Sequence, residues 1–131
     1  MNTDKKPIRK TGIVRIWAAF YYSLNGLRLA VSSEAAFRQE LVGIAIALIA
    51  LIFLPLSPVW KGILFLSATS ILIVELLNSS IESVVDVASP EYHALAKRAK
   101  DFGSAAVLIS IVVAVILWGC AIFSIFRNAA G

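Results

Sequence analysis

From Leu41 to Trp60 the chain carries 20 consecutive residues without a charge, and from Phe102 to Phe126 it carries 25 more between Asp101 and Arg127. About 20 predominantly apolar residues are needed for a helix to cross a hydrocarbon core roughly 30 Å thick. No other feature constrains the fold as tightly, because in lipid a backbone that does not close into a barrel must satisfy its own hydrogen bonds as a helix. The later run is long enough to cross with some tilt. Between the two lies a third apolar stretch of 13 uncharged residues, Gly62 to Val74, which then meets Glu75, Glu82 and Asp86. The reading is an all-α membrane protein with three transmembrane helices.

Composition agrees. Of 131 residues 60% are apolar, against roughly 45–50% for an ordinary soluble domain. Twelve Lys and Arg against eight Asp and Glu leave a net charge of +4, which suits anionic headgroups or phosphates as well as nucleic acid. The hydrophobicity decides for the membrane, and no nucleic-acid partner is expected. The single cysteine, Cys120, lies in an apolar run and is expected only to pack. The first long apolar run starts too far into the chain for a cleavable leader, so the spans themselves are expected to do the targeting.

Local punctuation divides the chain. In Leu54-Pro55-Leu56-Ser57-Pro58, Pro55 stops a helix, while Ser57 and Pro58 supply an N-cap and a first helical position. Span one is therefore expected over 38–56 and span two over 58–88, where Ser89-Pro90 breaks it. Residues 91–127 hold a loop and span three. Ahead of span one, Ile13, Ile16, Trp17, Phe20, Leu24, Leu27 and Val31 recur at helical spacing, with Arg15, Tyr22, Gly26 and Ser33 opposite. This reads as an amphipathic helix over 11–33 lying in the membrane interface; a helix packed on a soluble core is the blander alternative. Residues 1–10 read as a basic disordered tail, and 11–131 as a single membrane domain.

Basic residues favour the cytoplasmic side of a membrane. Lys5, Lys6, Arg9, Lys10, Arg15, Arg28 and Arg38 precede span one, and Lys97, Arg98 and Lys100 separate spans two and three, which leaves only Lys61 and Arg127 for the outer face. Every acid falls on the cytoplasmic side or within span two. The N-terminus and any chemistry are therefore expected to be cytoplasmic.

The chemistry concentrates in Glu75-Leu-Leu-Asn78-Ser79-Ser-Ile-Glu82-Ser-Val-Val-Asp86. At a hundred degrees per residue, Glu82 and Asp86 each lie about twenty degrees from Glu75, with Asn78 and Ser79 flanking. An acid at the centre of a span costs about 2.5–3.5 kcal/mol on insertion scales, so such a stripe must face protein, water or a cation. Asp86 could merely mark the helix end; Glu75, more than three turns further in, could not. His93, the only histidine, reads equally well as an exposed loop residue. Together the residues offer carboxylates for a hard cation and amines for phosphate, an inventory that suits magnesium with a phosphorylated substrate. No Walker-type or dinucleotide-type glycine motif is present.

At this same stripe the sequence resembles the signature of the prokaryotic diacylglycerol kinase family. Glu34-Ala-Ala-Phe37-Arg38-Gln39-Glu40, Glu91-Tyr92-His93 and Ala99-Lys100-Asp101-Phe-Gly-Ser104-Ala-Ala-Val extend the resemblance to both ends of the site, and it covers about residues 12 to 126. It departs at Ala18 and Asn25, where family members carry lysines. The resemblance implies a homotrimeric, multi-pass inner-membrane enzyme, 11–131 being one membrane kinase domain that moves the γ-phosphoryl group of MgATP onto diacylglycerol to give phosphatidic acid. Glu75 would then be the general base. Glu34 and Glu82 would hold Mg2+. Arg15, Tyr22, Glu91, Tyr92, His93, Lys100 and Asp101 would contact the nucleotide together with Glu82, and Asn78 would support its phosphates. Ser23, Arg28, Phe37, Gln39, Glu40 and Ser104 would line the lipid's path beside Arg15 and Glu75.

Two alternatives stand beside this reading. Undecaprenol is the lipid of a related kinase, although the Phe37–Glu40 and Lys100–Ser104 segments look more like the diacylglycerol type. A cation or proton carrier would also use carboxylates within a span, but the cluster lies to one side of the membrane and no repeat is visible, whereas carrier sites sit near the midplane between repeats.

The orientation generates a test. With Cys120→Ala as background, Ser57→Cys is expected to react with an impermeant thiol reagent from the outer side and Ser89→Cys is not; the reverse pattern would invert the topology.

Overall fold

The computed structural model describes residues 12–129, so the basic stretch 1–10 lies outside the described residues. Four helices follow one another: α1 (Ile13–Ser33), α2 (Ala35–Phe53), α3 (Pro58–Ala88) and α4 (Ala94–Ala129), with no strand among the described residues. The last three are long and apolar enough to cross a membrane. The chain falls into two compact units that divide between Ser33 and Glu34.

The α2–α3 connection follows from its residues. Helix α2 ends at Phe53, and Leu54, held extended by the following Pro55, cannot continue it. Ser57 then caps α3, its hydroxyl accepting from the Trp60 N–H at 3.4 Å, with Pro58 at the first helical position. The carbonyls left open at the end of α2 gain a donor from across the turn, since Lys61 Nζ donates to Ile52 O at 3.0 Å. Hydroxyls within the spans are satisfied locally: Ser67 donates to Leu64 O at 2.9 Å and Ser110 to Val107 O at 2.7 Å. Without such bonds each hydroxyl would be stranded in hydrocarbon.

Helix α3 is the centre of its unit, packed against α2 and, more extensively, along α4. One stripe of it is buried: Leu64, Ser67, Ala68, Ile71, Glu75 and Asn78. The spacing of three and four residues keeps these on one face. Near the α2–α3 turn, Leu64 packs with Leu51 and Ala121; further along, Ala68 and Ile71 pack with Ile44 and Ala114. Small side chains where α3 and α4 meet allow the close backbone approach that drives helix association in lipid. The outward faces stay apolar and exposed, Ile109, Val113, Ile116 and Phe123 of α4 among them, as a hydrocarbon surround requires. Cys120 belongs to such an exposed face.

Helix α1 forms a unit by itself. Gly12, with φ of 62°, turns the chain into it, a backbone angle open to glycine at no steric cost. Ile13, Ile16, Trp17, Phe20, Leu24, Leu27 and Val31 are all exposed, and Trp17 meets Phe20 edge to face with ring centroids 6.2 Å apart.

Candidate active site

The buried stripe of α3 changes chemistry halfway along. Leu64, Ala68 and Ile71 are followed on the same face by Glu75, only 5% exposed, and by Asn78. Burial then fades toward the helix end, with Glu82 half-buried and Asp86 exposed. Glu34 and Glu82 lie close enough to Glu75 for their charges to act on it, and Glu75 acts in turn on Glu40. Charge thus couples Glu75 to Glu82 on its own helix, to Glu34 just before α2 and to Glu40 within α2. Glu34 stands just before α2 in extended conformation and its side chain does not cap that helix.

Asn78 reaches along α3 to Glu82, Nδ2 donating to Oε1 at 3.4 Å. Its Oδ1 is buried without a hydrogen-bond partner in the chain, as is Glu40 Oε2. Orphaned buried oxygens are uncommon and mark either strain or a place where a ligand binds. Among the described residues no group of three or more His, Cys, Asp or Glu converges on a metal position. The chemistry of the set nevertheless fits a hard divalent cation: all its donors are oxygens, the carboxylates repel one another, and magnesium typically takes one or two protein carboxylates beside phosphate and water.

At the end of α3 opens a cleft of about 390 Å³ lined by Asp86, Ser89, Glu91, Tyr92, His93, Lys97, Lys100 and Asp101. It lies ~16 Å along the helix from Glu75, at 1.5 Å per residue over the eleven residues to Asp86. Ser89 Oγ donates to Glu91 O at 3.0 Å and fixes the turn. His93 Nδ1 accepts from the Leu95 N–H at 3.2 Å, and its carbonyl accepts from Lys97 N at 3.0 Å. His93 is an exposed loop residue, and from that position it caps α4. Lys100 Nζ pairs with Asp86 Oδ1 at 2.9 Å across the two helices, and Lys97 pairs with Asp101 at 2.6 Å along α4. Both pairs are exposed and contribute little to stability. The lysines are held at the cleft yet remain exchangeable, as a phosphate ligand requires.

Five residues that the sequence analysis connects with a nucleotide, Glu91, Tyr92, His93, Lys100 and Asp101, thus share one cleft. Asn78 and Glu82 sit deeper on α3, beside Glu75. Of the residues connected with a lipid, Glu40 is half-buried, Phe37 is buried, and Gln39 and Ser104 are exposed near the starts of α2 and α4. Arg15, Tyr22, Ser23 and Arg28 are exposed on α1, with Arg15 and Tyr22 seven residues apart and hence on one face. Ser23 Oγ donates to Ala19 O within its helix. Asp86, the outer end of the acidic stripe, also lines the cleft, as do Ser89 and Lys97, to which the sequence assigned no role at the site. The four-residue spacing of Lys97 and Asp101 was the signal for one of them.

A family model described as prokaryotic diacylglycerol kinase matches residues 21–122. A diacylglycerol kinase of Escherichia coli strain K12 is 49% identical over 116 residues, covering 88% of this chain and 95% of the relative. One from Pseudomonas aeruginosa is 44% identical, covering 83% and 89%. One from Helicobacter pylori strain J99 is 34% identical, covering 98% and 100%.

Proposed function

The chain belongs to the prokaryotic diacylglycerol kinase family, and on that premise we propose that it transfers the γ-phosphoryl group of ATP to the free hydroxyl of diacylglycerol, releasing phosphatidic acid and ADP. The observation that carries the mechanism is a carboxylate, Glu75, buried on the packed face of α3 and in line with the cleft at that helix's end. Diacylglycerol sits in the membrane with its hydroxyl at the interface, and ATP arrives from water. A site that begins in an open cleft and ends within a span joins the two.

Glu75 accepts the hydroxyl proton as the lipid oxygen attacks the γ-phosphorus and the bond to ADP breaks. Phosphoryl transfer asks mainly for positioning and charge neutralisation. Lys100, released from Asp86, meets phosphate oxygens; Glu91, Tyr92, His93 and Asp101 contact the nucleotide at the cleft; Asn78 supports the phosphates; and Arg15 and Tyr22 are nucleotide contacts that the family resemblance implies. Glu34 and Glu82 would hold Mg2+, which when bound offsets the phosphate charge. Ser23, Arg28, Phe37, Gln39, Glu40 and Ser104 guide the lipid. α1 lies in the interface with its apolar face in the acyl boundary.

The setting we propose is the inner membrane, with the N-terminus and the cleft cytoplasmic, where ATP is available. The protein works as a homotrimer, in keeping with its family resemblance and with the large apolar area that α4 leaves exposed in one chain. Membership of a kinase family leaves no specific observation in favour of a cation or proton carrier.

Purified protein in mixed micelles with labelled ATP is expected to phosphorylate diacylglycerol and to turn over undecaprenol poorly. Preference for undecaprenol would reassign the lipid, and labelling of neither would overturn the kinase reading. Glu34→Gln and Glu82→Gln are each expected to raise the magnesium concentration for half-maximal activity, since each removes one ligand and leaves the others. An unchanged magnesium titration in both variants would exclude them as ligands.

A further inference from the structure

Gly103 is buried in the third turn of α4. A Cβ built there would overlap Asn78 Oδ1 and lie 3.2 Å from its Cγ, whereas at Gly26, Gly43, Gly62 and Gly119 it would meet nothing within 4 Å. Among the described helical glycines Gly103 alone has its missing side chain replaced by a neighbour. Glycine is a poor helix former, and one in a helix interior asks for a packing reason. The neighbour is the amide that donates to Glu82.

We infer that Gly103 is a positioning residue: the space left by its missing side chain is the slot in which the Asn78 amide lies, and through Asn78 it sets the orientation of Glu82. A Cβ on α4 would crowd both Oδ1 and Cγ of Asn78, so the amide must leave the position from which it reaches Glu82. Its first side-chain torsion is confined to staggered wells, and turning the amide about the broader second torsion to clear a Cβ also turns Nδ2 away from Glu82. With an alanine at 103, the amide must swing away from α4, Glu82 loses its donor, and the phosphate end of the site loses two groups at once. The inference rests on the proposed roles of Asn78 and Glu82, and it adds a residue that touches neither substrate nor cation.

The test is a double-mutant cycle of Gly103→Ala, Asn78→Ala and the pair, each purified in detergent micelles, read as kcat, the magnesium requirement and the unfolding midpoint. Gly103→Ala is expected to lower kcat or raise the half-saturating magnesium by about 10–100-fold, the usual cost of losing a group that orients a ligand. The lipid KM is expected to stay within about twofold of wild type, as it does when uniform substrate binding is intact. It is also expected to lower the midpoint in the wild-type background. With Asn78→Ala already present the overlap is gone, and alanine at 103 is expected to leave the midpoint unchanged or raise it, because alanine outranks glycine in a helix. Equal destabilisation in both backgrounds would mean that Gly103 merely spaces the helices and would overturn the inference. So would wild-type kcat and magnesium dependence in Gly103→Ala while Asn78→Ala is inactive. Wild-type kcat in Asn78→Ala would instead overturn the phosphate role of Asn78 itself, and the positioning role with it. If Gly103→Ala does not fold, recovery of folded protein in the double variant supports the slot, and failure of both overturns it.

Discussion

A carboxylate inside a membrane span must face protein, water or a cation, and in this chain the packed face of α3 supplies the protein. Glu75 belongs to the same stripe as Leu64, Ala68 and Ile71, which join α3 to α2 and α4. The seam that holds the three spans together therefore also shields the acid. An exposed acid at that depth would cost about 2.5–3.5 kcal/mol on insertion scales, so packing and site cannot be separated: the register of α3 against its neighbours that buries Ala68 buries Glu75 about two turns later.

From Glu75 outward the helix is graded. Asn78 is buried, Glu82 half-buried and Asp86 exposed, so one helix face passes from a water-free interior to an open cleft over about three turns. The cleft is completed by the start of α4, capped by His93 and carrying Lys97 and Lys100, each paired with a carboxylate. A soluble kinase brings phosphates to its base with a glycine-rich loop. In the proposed mechanism the long axis of a helix does so instead, with lysines at the aqueous end and a carboxylate at the lipid end.

Much of this was legible in the residues. The uncharged runs located three spans; Pro55, Ser57-Pro58 and Ser89-Pro90 located the breaks, and Ser57 caps α3 as expected. The seven- and eleven-residue spacing of Glu75, Glu82 and Asp86 put the acids on one stripe. What periodicity could not supply is the register between helices. That Lys100 meets Asp86, that Gly103 meets Asn78, and that Cys120 is exposed all depend on how α4 lies along α3. The cap supplied by His93 was missed for a local reason, since histidine is not among the residues that favour helix N-termini.

The central claim is that Glu75 takes the lipid hydroxyl proton, and Glu75→Gln tests it most directly. The amide keeps shape and polarity, and it is cheaper to bury than a carboxylate, so the unfolding midpoint in detergent is expected to stay or rise. General base assistance is typically worth about 10²–10⁴-fold, so kcat is expected to fall by at least about two orders of magnitude. The KM values for ATP and lipid are expected to change little, because a base that acts only in the transition state does not contribute to ground-state binding. A well-folded Glu75→Gln enzyme that keeps more than about a tenth of the wild-type kcat would contradict the claim and leave the buried carboxylate of α3 without a function.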